Sequence, residues 1–357
     1  MAGKDGMNYA PKGKVNKVVE AGAFTFAAVA LDHGHINGMT NGLLEAGATL
    51  KWVYDPDHDK VEAYRKQFPQ ANVADSIDQI LTDSEVRLVA AAAIPNMRSA
   101  LGNRVMQAGK DYFTDKTAFT TMDQLNETKR IVNETGQKLW VYFSERLHVE
   151  GAVFAGQLIN EGVIGELVQL TGFGPHRLDK DKRPDWFFNK EQYGGILCDI
   201  GSHQIEQLLY FTKNTDAEVL HSKVGNYANS DKPELEDYGD ATLVGENGAS
   251  FIFKVDWFTP DGLSTWGDGR LFITGTKGTI EVRKYVDVAR EESGDHVYVV
   301  TSEGEKHYSV SGEVGFPFFG EMIKDCLNRT EHAMTQAHIF KAQELCLIAQ
   351  EKAERLI

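Results

Sequence analysis

Short apolar runs alternate with segments of helical spacing through the first 145 residues. Buried strands are predicted at 24–31, 49–54, 87–94, 111–114 and 138–143. Between the first two runs, Ile36, Met39 and Leu43 repeat at the spacing of one helix face, and Gly47 suits the end of that helix. Repeated strand–helix units of this kind predict an α/β domain with a doubly wound parallel sheet.

The pattern changes after about residue 146, where strands predominate. Helices are predicted at 149–160, from residue 196 onwards and at 336–355, and strands at 166–173, 218–227, 241–244, 250–258, 271–274, 279–282 and 296–300. Phe251, Phe253, Val255 and Trp257 alternate with Lys254 and Asp256, which is typical of a half-buried antiparallel strand. We therefore predict an N-terminal arm at 1–23, a first domain at 24–145 and a second domain at 146–357, whose last helix packs back toward the first domain.

Composition narrows the class of protein. The chain has 357 residues and a formal net charge of -15. An acidic surface repels phosphate, so we expect neither a nucleic-acid partner nor docking on anionic membranes. Its three cysteines, Cys198, Cys326 and Cys346, are widely spaced and odd in number, which fits no disulfide framework or zinc site. These features, and the lack of an apolar run of about 18 residues, predict a cytoplasmic protein.

The loop after the first predicted strand is a candidate dinucleotide-binding loop. Such a loop would carry glycines at positions 32, 34 and 37. Only Gly34 is present, at the position where the backbone must approach the pyrophosphate, and Asp32 and Asn37 replace the other two. A strand precedes the loop and a helix follows it, which supports the assignment. The predicted cofactor contacts here are Asp32, His33, Gly34, His35 and Ile36.

Asp55 is the candidate that selects the cofactor. It lies 21 positions after Gly34, at the end of the second predicted strand. A carboxylate there accepts hydrogen bonds from the adenosine ribose, and together with Asp57 it repels a 2′-phosphate. The sequence therefore favours NAD over NADP. Asp55 followed by Pro56 also has the pattern of a helix N-cap, which is compatible with ribose binding.

His33 and His35 form an H-x-H pair beside Asp32. Imidazoles and carboxylates are common metal ligands. A polar contact of these side chains with cofactor or substrate fits the loop better, because closely spaced histidines often only line a loop. We predict no metal site.

Two segments carry candidate catalytic side chains. Asp115-Lys116-Thr117 follows a predicted strand, at the sheet edge where open α/β sheets bind ligands. In residues 194–203, a continuous helix would place Asp199 and His203 on one face, and the glycine pair before them would allow a ligand to approach closely. Alcohol oxidation needs a base for the hydroxyl proton and a donor for the developing alkoxide, which suit histidine and lysine. The same spacing also occurs in helix-surface pairs and in metal sites.

The segment 194–203, GGILCDIGSH, resembles the GG-x-x-x-D-x-G-x-H segment of the Gfo/Idh/MocA family of oxidoreductases. Asp115-Lys116-Thr117 resembles the family's E-K-P segment, and Ile94-Pro95-Asn96 resembles its T-P-N segment, which borders the nicotinamide. Residues 273–281 resemble its G-T-x-G strand pair. The similarity runs from about residue 24 to the C-terminus.

The resemblance implies an NAD(P)-dependent sugar or cyclitol dehydrogenase. It implies a Rossmann domain followed by an α/β domain with an open-faced, mainly antiparallel sheet, through which family members form homodimers or homotetramers. By it, Lys116 would hydrogen-bond the reacting oxygen, His203 would be the acid/base, and Asp199 would bind substrate and help set the base. Pro95, Asn96 and Lys116 would contact the cofactor.

Candidate substrate contacts are polar or aromatic and lie mostly before the 194–203 segment. They are Glu145, Arg146, His176, Arg177 and Trp186. Arginine and histidine can bind hydroxyls or a carboxylate, and tryptophan can stack on a sugar face. A surface loop or a core position is the alternative for each of them. Arg177 together with Arg183 suggests an acidic sugar.

The sequence thus predicts an NAD-dependent dehydrogenase that oxidises a secondary alcohol of a sugar, a sugar acid or a cyclitol. Two alternatives stay open. A glycosidase of this scaffold would retain NAD and cleave a glycosidic bond through transient oxidation. A sugar or NAD sensor would keep the fold without catalysis, which the glycine-poor first loop favours and the lysine–aspartate–histidine set opposes.

Overall fold

The apolar runs of the first 145 residues pair in one six-stranded sheet. The structure is a computed structural model that describes residues 4–356. The strands are β1 (Thr25–Val29), β2 (Thr49–Tyr54), β3 (Asn72–Val73), β4 (Val86–Ala91), β5 (Asp111–Asp115) and β6 (Leu139–Tyr142). All neighbours are parallel, in the order β3-β2-β1-β4-β5-β6. This is the strand order of a Rossmann fold, so the predicted doubly wound sheet is confirmed.

Helices alternate with these strands and cover the sheet. They are α1 (His35–Glu45), α2 (His58–Gln67), α3 (Ile77–Thr82), α4 (Pro95–Gln107) and α5 (Met122–Thr135). α4 begins with Pro95, where a missing backbone N–H costs little. α5 begins after Thr121, whose side chain accepts a hydrogen bond from Gln124 N, and ends at Gly136 with φ 67°. Every residue of β1 and β5 is buried, as expected where helices cover both faces.

The strands of the second half form a nine-stranded mixed sheet. They are β7 (Leu167–Pro175), β8 (Ala217–Gly225), β9 (Tyr238–Gly245), β10 (Ser250–Asp256), β11 (Arg270–Gly275), β12 (Gly278–Arg283), β13 (His296–Thr301), β14 (Gly304–Ser309) and β15 (Glu354–Arg355). The order is β14-β13-β12-β11-β7-β10-β9-β8-β15. The β7–β10 and β8–β15 pairs are parallel and the others are antiparallel, so the mainly antiparallel sheet is confirmed.

One face of the mixed sheet carries exposed apolar side chains. In β10, Phe251 and Phe253 are buried whereas Ile252 is 48% exposed, and in β11 Phe272 is 38% exposed. Ile252 and Phe272 both lie opposite Thr171 of β7, so they are neighbours on the same face. This face is the one through which we predict a homodimer or homotetramer, and that assembly stays a prediction.

Helices complete the second half. They are α6 (Ser144–Leu147), α7 (Glu150–Asn160), α8 (Lys190–Tyr193), α9 (Ile196–Asp199), α10 (Gly201–Thr212), α11 (Pro317–Asn328) and α12 (Gln336–Lys352), with 3-10 turns at Lys180–Lys182 and Asp185–Phe188. The sequence pattern missed α11 and the polar, exposed edge strand β14. Within residues 4–356, none of the helices has both the length and the apolar character that a bilayer crossing requires.

Contacts divide the chain into two units whose segments interleave. The parallel-sheet unit comprises residues 7–142 and 315–340, and the mixed-sheet unit comprises 4–6, 143–314 and 341–356. α11 joins the first unit because Phe318 packs 6.2 Å from Phe113 and Phe319 packs 6.3 Å from Tyr142, measured between ring centres. The predicted domains, 24–145 and 146–357, are continuous stretches and stay a prediction. Residues 1–3 of the predicted arm, and residue 357, lie outside the described part.

Asp295 holds the start of α7 in the mixed-sheet unit. Its Oδ1 accepts a hydrogen bond from Gly151 N at 2.8 Å. Burial raises the pKa of this carboxyl from 3.8 to about 7, and the charge of Glu150 adds to the effect. The folded chain therefore holds a proton that the unfolded chain loses between about pH 4 and pH 7, so this group lowers stability as the pH rises.

We expect Asp295→Asn to stabilise the protein increasingly as the pH rises from 5 to 8. Asparagine keeps an acceptor for Gly151 N, tolerates the φ of 59° at this position, and carries no charge to bury. The gain should grow by about 2 kcal/mol over this interval. Melting temperatures of the variant and of the wild type across the interval measure it, with exposed Asp181→Asn as the control. A gain that is equal at pH 5 and pH 8 would contradict the account.

Candidate functional site

The candidate cofactor site lies at the carboxyl ends of β1, β4 and β5. The strand order reverses between β1 and β4, and open α/β sheets bind ligands at such a switch point. The loops that leave these three ends carry Gly34, Pro95 and Lys116. All three predicted positions therefore belong to one edge of the parallel sheet.

Gly34 is needed for close approach rather than for its backbone angles. Its φ is -62°, which any residue can adopt. A Cβ at this position would lie 2.5 Å from Met7 O and closer still to Asn8 Oδ1. Two residues of the N-terminal segment thus occupy the side of Gly34 that the sequence assigned to pyrophosphate. A phosphate that lies against Gly34 must displace Met7 and Asn8.

Asp55 binds backbone amides rather than capping a helix. Its Oδ2 accepts a hydrogen bond from Leu31 N at 2.7 Å and its Oδ1 accepts one from Asp57 N at 2.9 Å. The N-cap of α2 is Asp57, whose side chain accepts from Asp59 N. The predicted Asp55 N-cap is therefore wrong, because Asp55 turns back to the loop after β1. Each oxygen of the Asp55 carboxylate has a further lone pair, so it can also accept a hydrogen bond from a ribose hydroxyl.

Asp32 is neutralised where it replaces a glycine of the usual loop. Lys60 Nζ of α2 lies 2.7 Å from Asp32 Oδ1. This ion pair offsets the negative charge that would otherwise repel a pyrophosphate. Ile36, the second residue of α1 and another predicted cofactor contact, is 2% exposed and belongs to the core.

His33, His35 and Asp115 form a buried cluster. His35 Nδ1 lies 2.9 Å from Asp115 Oδ1, and His33 Nδ1 lies 3.4 Å from Asp115 Oδ2. Burial lowers the pKa of His33 well below its usual range, with the charge of His35 acting in the same direction. The potential ligand atoms lie within 4.8 Å of one another, so the set could hold a metal ion. Arg98 already supplies a cation to Asp115, which disfavours a second one, and the absence of a metal stays a prediction.

Arg98 is the residue that sequence reasoning missed. It is 1% exposed, and its guanidinium binds four partners on two loops. Nε donates to Ala93 O at 2.7 Å, and Nη2 lies 3.1 Å from Asp115 Oδ2. Nη1 donates to Lys116 O and to Thr117 O. One side chain thus joins the loop after β4 to the segment that carries Lys116.

Lys116 follows β5 and is 5% exposed. Its backbone N donates to Asp115 Oδ1 at 2.8 Å, and the Lys116–Thr117 peptide bond is cis. Together with Arg98, these hydrogen bonds fix the backbone from which the lysine side chain extends. The charges of His35 and Arg98 hold the pKa of Asp115 well below its usual range against the opposing effect of burial.

Asn96 shows that the site has unused hydrogen-bonding capacity. In the described part of the chain, its buried Oδ1 has no hydrogen-bond partner, while its backbone O accepts from Gln124 Nε2. It follows Pro95 in the first turn of α4. The family resemblance predicts that this segment borders the nicotinamide, and an unsatisfied acceptor there fits a carboxamide, which carries N–H donors.

Asp199 and His203 do not lie on one continuous helix. α9 ends at Asp199 and α10 begins at Gly201, with Ile200 between them. Ser202 Oγ donates to Asp199 O, and His203 N donates to Ile200 O at 3.1 Å. The predicted single helix is therefore wrong at this junction. Both residues belong to the mixed-sheet unit, and His203 is 2% exposed.

The glycine pair before α9 contacts protein rather than an open cleft. Gly194 and Gly195 have φ of 88° and 92°, which only glycine adopts readily. A Cβ on Gly195 would overlap the side chain of Gln350. Gln350 Oε1 in turn accepts a hydrogen bond from Leu197 N at 2.9 Å. The prediction that this pair admits a ligand is wrong at Gly195, because Gln350 fills the space.

Glu145 and Arg146 make ion pairs inside the mixed-sheet unit. Glu145 Oε2 lies 2.6 Å from Lys284 Nζ, and both side chains are buried. Arg146 Nε donates to Glu206 at 2.8 Å, and its guanidinium lies 3.7 Å from the centre of the Tyr210 ring. These partners neutralise both charges within the unit. Substrate binding by either residue stays a prediction.

His176, Arg177 and Trp186 lie in an aromatic part of the same unit. The His176 ring lies 4.5 Å from Trp266 and 5.4 Å from Trp257, measured between centres. Arg177 is 4% exposed and pairs with Asp261 at 2.7 Å. Trp186 lies in the 3-10 turn Asp185–Phe188 and is half-buried. Their contact with substrate also stays a prediction.

Sequence comparison covers both units. Residues 29–143 match the model of an oxidoreductase family with an NAD-binding Rossmann fold, and residues 153–281 match the C-terminal domain of the Gfo/Idh/MocA proteins. The first match contains Lys116, and the second contains Asp199 and His203. The chain belongs to the Gfo/Idh/MocA family. Its parallel-sheet unit is the family's NAD-binding domain.

Two curated relatives of this Gfo/Idh/MocA chain are named dehydrogenases. It is 28% identical to a D-xylose dehydrogenase from Paenarthrobacter nicotinovorans over 55% of this chain and 56% of that protein. It is 26% identical to a scyllo-inositol 2-dehydrogenase (NADP(+)) from Bacillus subtilis over 52% of this chain and 50% of that protein. The chain thus spans about half the length of the curated relatives it matches.

A solved structure from Erwinia carotovora atroseptica SCRI1043, described as an oxidoreductase, is much more similar. It is 50% identical, with a TM-score of 0.91 over 94% of this chain and all of that one. A Thermotoga maritima structure at 19% identity has a TM-score of 0.78 over 92% of this chain and 98% of its own, which supports the fold alone. The Gfo/Idh/MocA architecture therefore extends over nearly the whole chain.

We expect Arg98→Lys to destabilise this Gfo/Idh/MocA protein by about 2–4 kcal/mol. Lysine keeps the charge, but a single nitrogen cannot reach Ala93 O, Asp115 and the Lys116 and Thr117 carbonyls together, so buried acceptors lose their donors. The melting temperature measures the loss. Arg104→Lys is the control, because Arg104 lies on the same helix, is exposed, and pairs with exposed Asp78. Equal melting temperatures for the two variants would contradict the role given to Arg98.

Proposed function

We propose that this protein is an NAD-dependent dehydrogenase that oxidises a secondary alcohol of a sugar, a sugar acid or a cyclitol. The observation that carries the proposal is Lys116, a buried lysine whose backbone is fixed by Arg98 at the carboxyl end of β5. A cation held at a switch point can stabilise a developing alkoxide. The names of the xylose and inositol dehydrogenases among its relatives support the substrate class.

Each catalytic residue has a distinct proposed task. Bound NAD supplies the hydride acceptor. Lys116 donates a hydrogen bond to the oxygen that becomes a carbonyl. His203 takes the hydroxyl proton, and Asp199 hydrogen-bonds the substrate and helps set that base. A base and a donor of these types are what alcohol oxidation requires.

Variants of the proposed donor and base should fold and lose turnover. Lys116→Met and His203→Asn should each lower kcat by about 10²- to 10⁴-fold, because each removes a group that acts on the reacting hydroxyl. Reduction of NAD at 340 nm with a panel of polyols, sugars and sugar acids measures this. Lys129→Met, which removes an exposed lysine of α5, is the matched control.

Full activity in both variants would show that the roles are misassigned. Cleavage of a glycoside without net reduction of NAD would instead favour the NAD-retaining glycosidase. A protein that binds NAD or sugar and catalyses neither reaction would be a sensor.

NAD would be held by the loops that leave β1, β2 and β4. Three features of these loops fit a dinucleotide. They are the lack of a Cβ at Gly34, the carboxylate of Asp55 and the unsatisfied Oδ1 of Asn96. His33, His35 and Pro95 line the same edge. Cofactor binding requires Met7 and Asn8 to leave Gly34. We propose NAD rather than NADP because the charge of Asp55 opposes a 2′-phosphate.

Asp55→Asn should shift cofactor preference toward NADP. Removing the charge removes its repulsion of the 2′-phosphate, so the ratio of the Kd for NADP to the Kd for NAD should fall by about tenfold. The loss of amide contacts by Asp55 also loosens the loop, but this raises both Kd values by the same factor, which cancels in their ratio. Asp75→Asn, which removes an exposed carboxylate of the same unit, is the control. An unchanged ratio in Asp55→Asn would mean that Asp55 does not select the cofactor.

A further inference from the structure

Arg183 is the second arginine of the substrate segment, and it is held between aromatic rings. It lies just before the 3-10 turn Asp185–Phe188 in the mixed-sheet unit and is half-buried. Its guanidinium carbon lies 4.6 Å from the centre of the Phe187 ring and 4.9 Å from that of Trp257. Stacking on two rings fixes the plane of the guanidinium.

The guanidinium keeps one edge without a protein partner. Nε donates to Leu178 O at 2.8 Å and Nη2 donates to Arg177 O at 3.2 Å. Within residues 4–356, Nη1 makes no hydrogen bond and Arg183 makes no ion pair. Two backbone carbonyls therefore orient this cation without neutralising its charge.

Arg177 and the nearby lysines are, by contrast, already paired. Arg177 binds Asp261, Leu263 O and Thr265 O. Lys180 pairs with Asp231, and Lys182 lies 3.9 Å from Asp179. Arg183 is thus the cation of this segment that is left to bind an anion.

Arg183 can offset no more than one negative charge on a ligand, because three nearby carboxylates already act on it. Burial lowers the pKa of Arg183, and the charges of Asp199, Asp5 and Asp179 act in the opposite direction. Asp199 is the proposed substrate-binding carboxylate, so this cation lies within electrostatic range of the proposed site. A dianion such as a phosphate would need more than the single unpaired cation present here, whereas a carboxylate matches one guanidinium edge.

The N-terminal segment brings one carboxylate within electrostatic range of Arg183. Asp5 is among the charges that act on Arg183, and the adjacent Gly6 packs against Trp266, where an added Cβ would be 3.2 Å from the ring. The Trp266 ring in turn lies next to His176. Aromatic walls beside a cation suit the apolar face and the acid group of a sugar acid.

We propose that Arg183 binds the carboxylate of the substrate, so that the substrate class is acidic sugars, such as aldonates or uronates. This proposal rests on the proposed dehydrogenase function and narrows it. The free Nη1 edge accepts the carboxylate, while Trp257 and Phe187 hold the guanidinium plane. Neutral sugars and polyols lack this contact and should bind more weakly.

The experiment compares acids with their neutral counterparts on the 357-residue protein in the presence of NADH, which cannot accept a hydride from them. The pairs are D-gluconate with D-glucitol, D-glucuronate with D-glucose, D-galacturonate with D-galactose, and D-xylonate with D-xylitol. Isothermal titration calorimetry measures binding independently of turnover. We expect wild type to bind at least one acid tenfold or more tightly than its neutral partner.

Arg183→Gln should remove that preference, weakening the acid by at least tenfold and the neutral partner by less than twofold. Arg183→Lys keeps the positive charge but lacks the planar guanidinium, so it should retain part of the preference for the acid. This variant replaces Arg183→Gln as the test if the glutamine variant misfolds. Lys182→Gln makes the same change in net charge at an exposed neighbour and should behave as wild type.

The outcomes separate the two proposals. If no acid binds more tightly than its neutral partner, or if Arg183→Gln keeps the preference, Arg183 is not the carboxylate site, and NAD reduction with neutral substrates would leave the dehydrogenase standing. If acids bind through Arg183 but none of them reduces NAD, the subsite stands and the dehydrogenase proposal fails.

Discussion

The candidate catalytic edge of this protein depends on the buried ion pair of Arg98 with Asp115. Both side chains are almost fully buried. Arg98 also donates to Ala93 O and Lys116 O, and Asp115 also accepts from Lys116 N and contacts the two histidines of the first loop. A charge left unpaired at such a site costs about 3–5 kcal/mol, so neither residue can be replaced alone without loosening these loops. The position of Lys116, and with it the proposed stabilisation of an alkoxide, follows from this pair.

The unusual first loop belongs to the same network. His33 and His35 turn toward Asp115 and bind it within the parallel-sheet unit. Asp32, which would repel phosphate, is paired with Lys60. The loop therefore departs from the glycine-rich pattern in sequence but keeps a glycine at position 34, against which Met7 and Asn8 pack.

Much of the fold could be predicted from the sequence, because the spacing of apolar residues and the positions of turn residues determine local structure. The parallel sheet and the mixed sheet follow from such runs, whereas β14 has no apolar face and α11 joins its unit through distant ring contacts with Phe113 and Tyr142. Lys116, Asp199 and His203 could be singled out by the motifs that carry the family resemblance, and their roles stay a prediction. Arg98 could not be singled out in this way. Its four partners lie at the end of β5 and on two loops, and only the folded sheet brings them together. The break at Ile200 and the packing of Gln350 on Gly195 likewise depend on tertiary contacts.

The proposed function requires a hydride to pass directly from a substrate carbon to bound NAD. The most direct test uses a substrate deuterated at the carbon that carries the reacting hydroxyl, followed by mass spectrometry of the nicotinamide product. The account predicts that the reduced cofactor carries the deuterium. Unlabelled reduced cofactor with the deuterium released to water, or label that never leaves the substrate carbon, would contradict it.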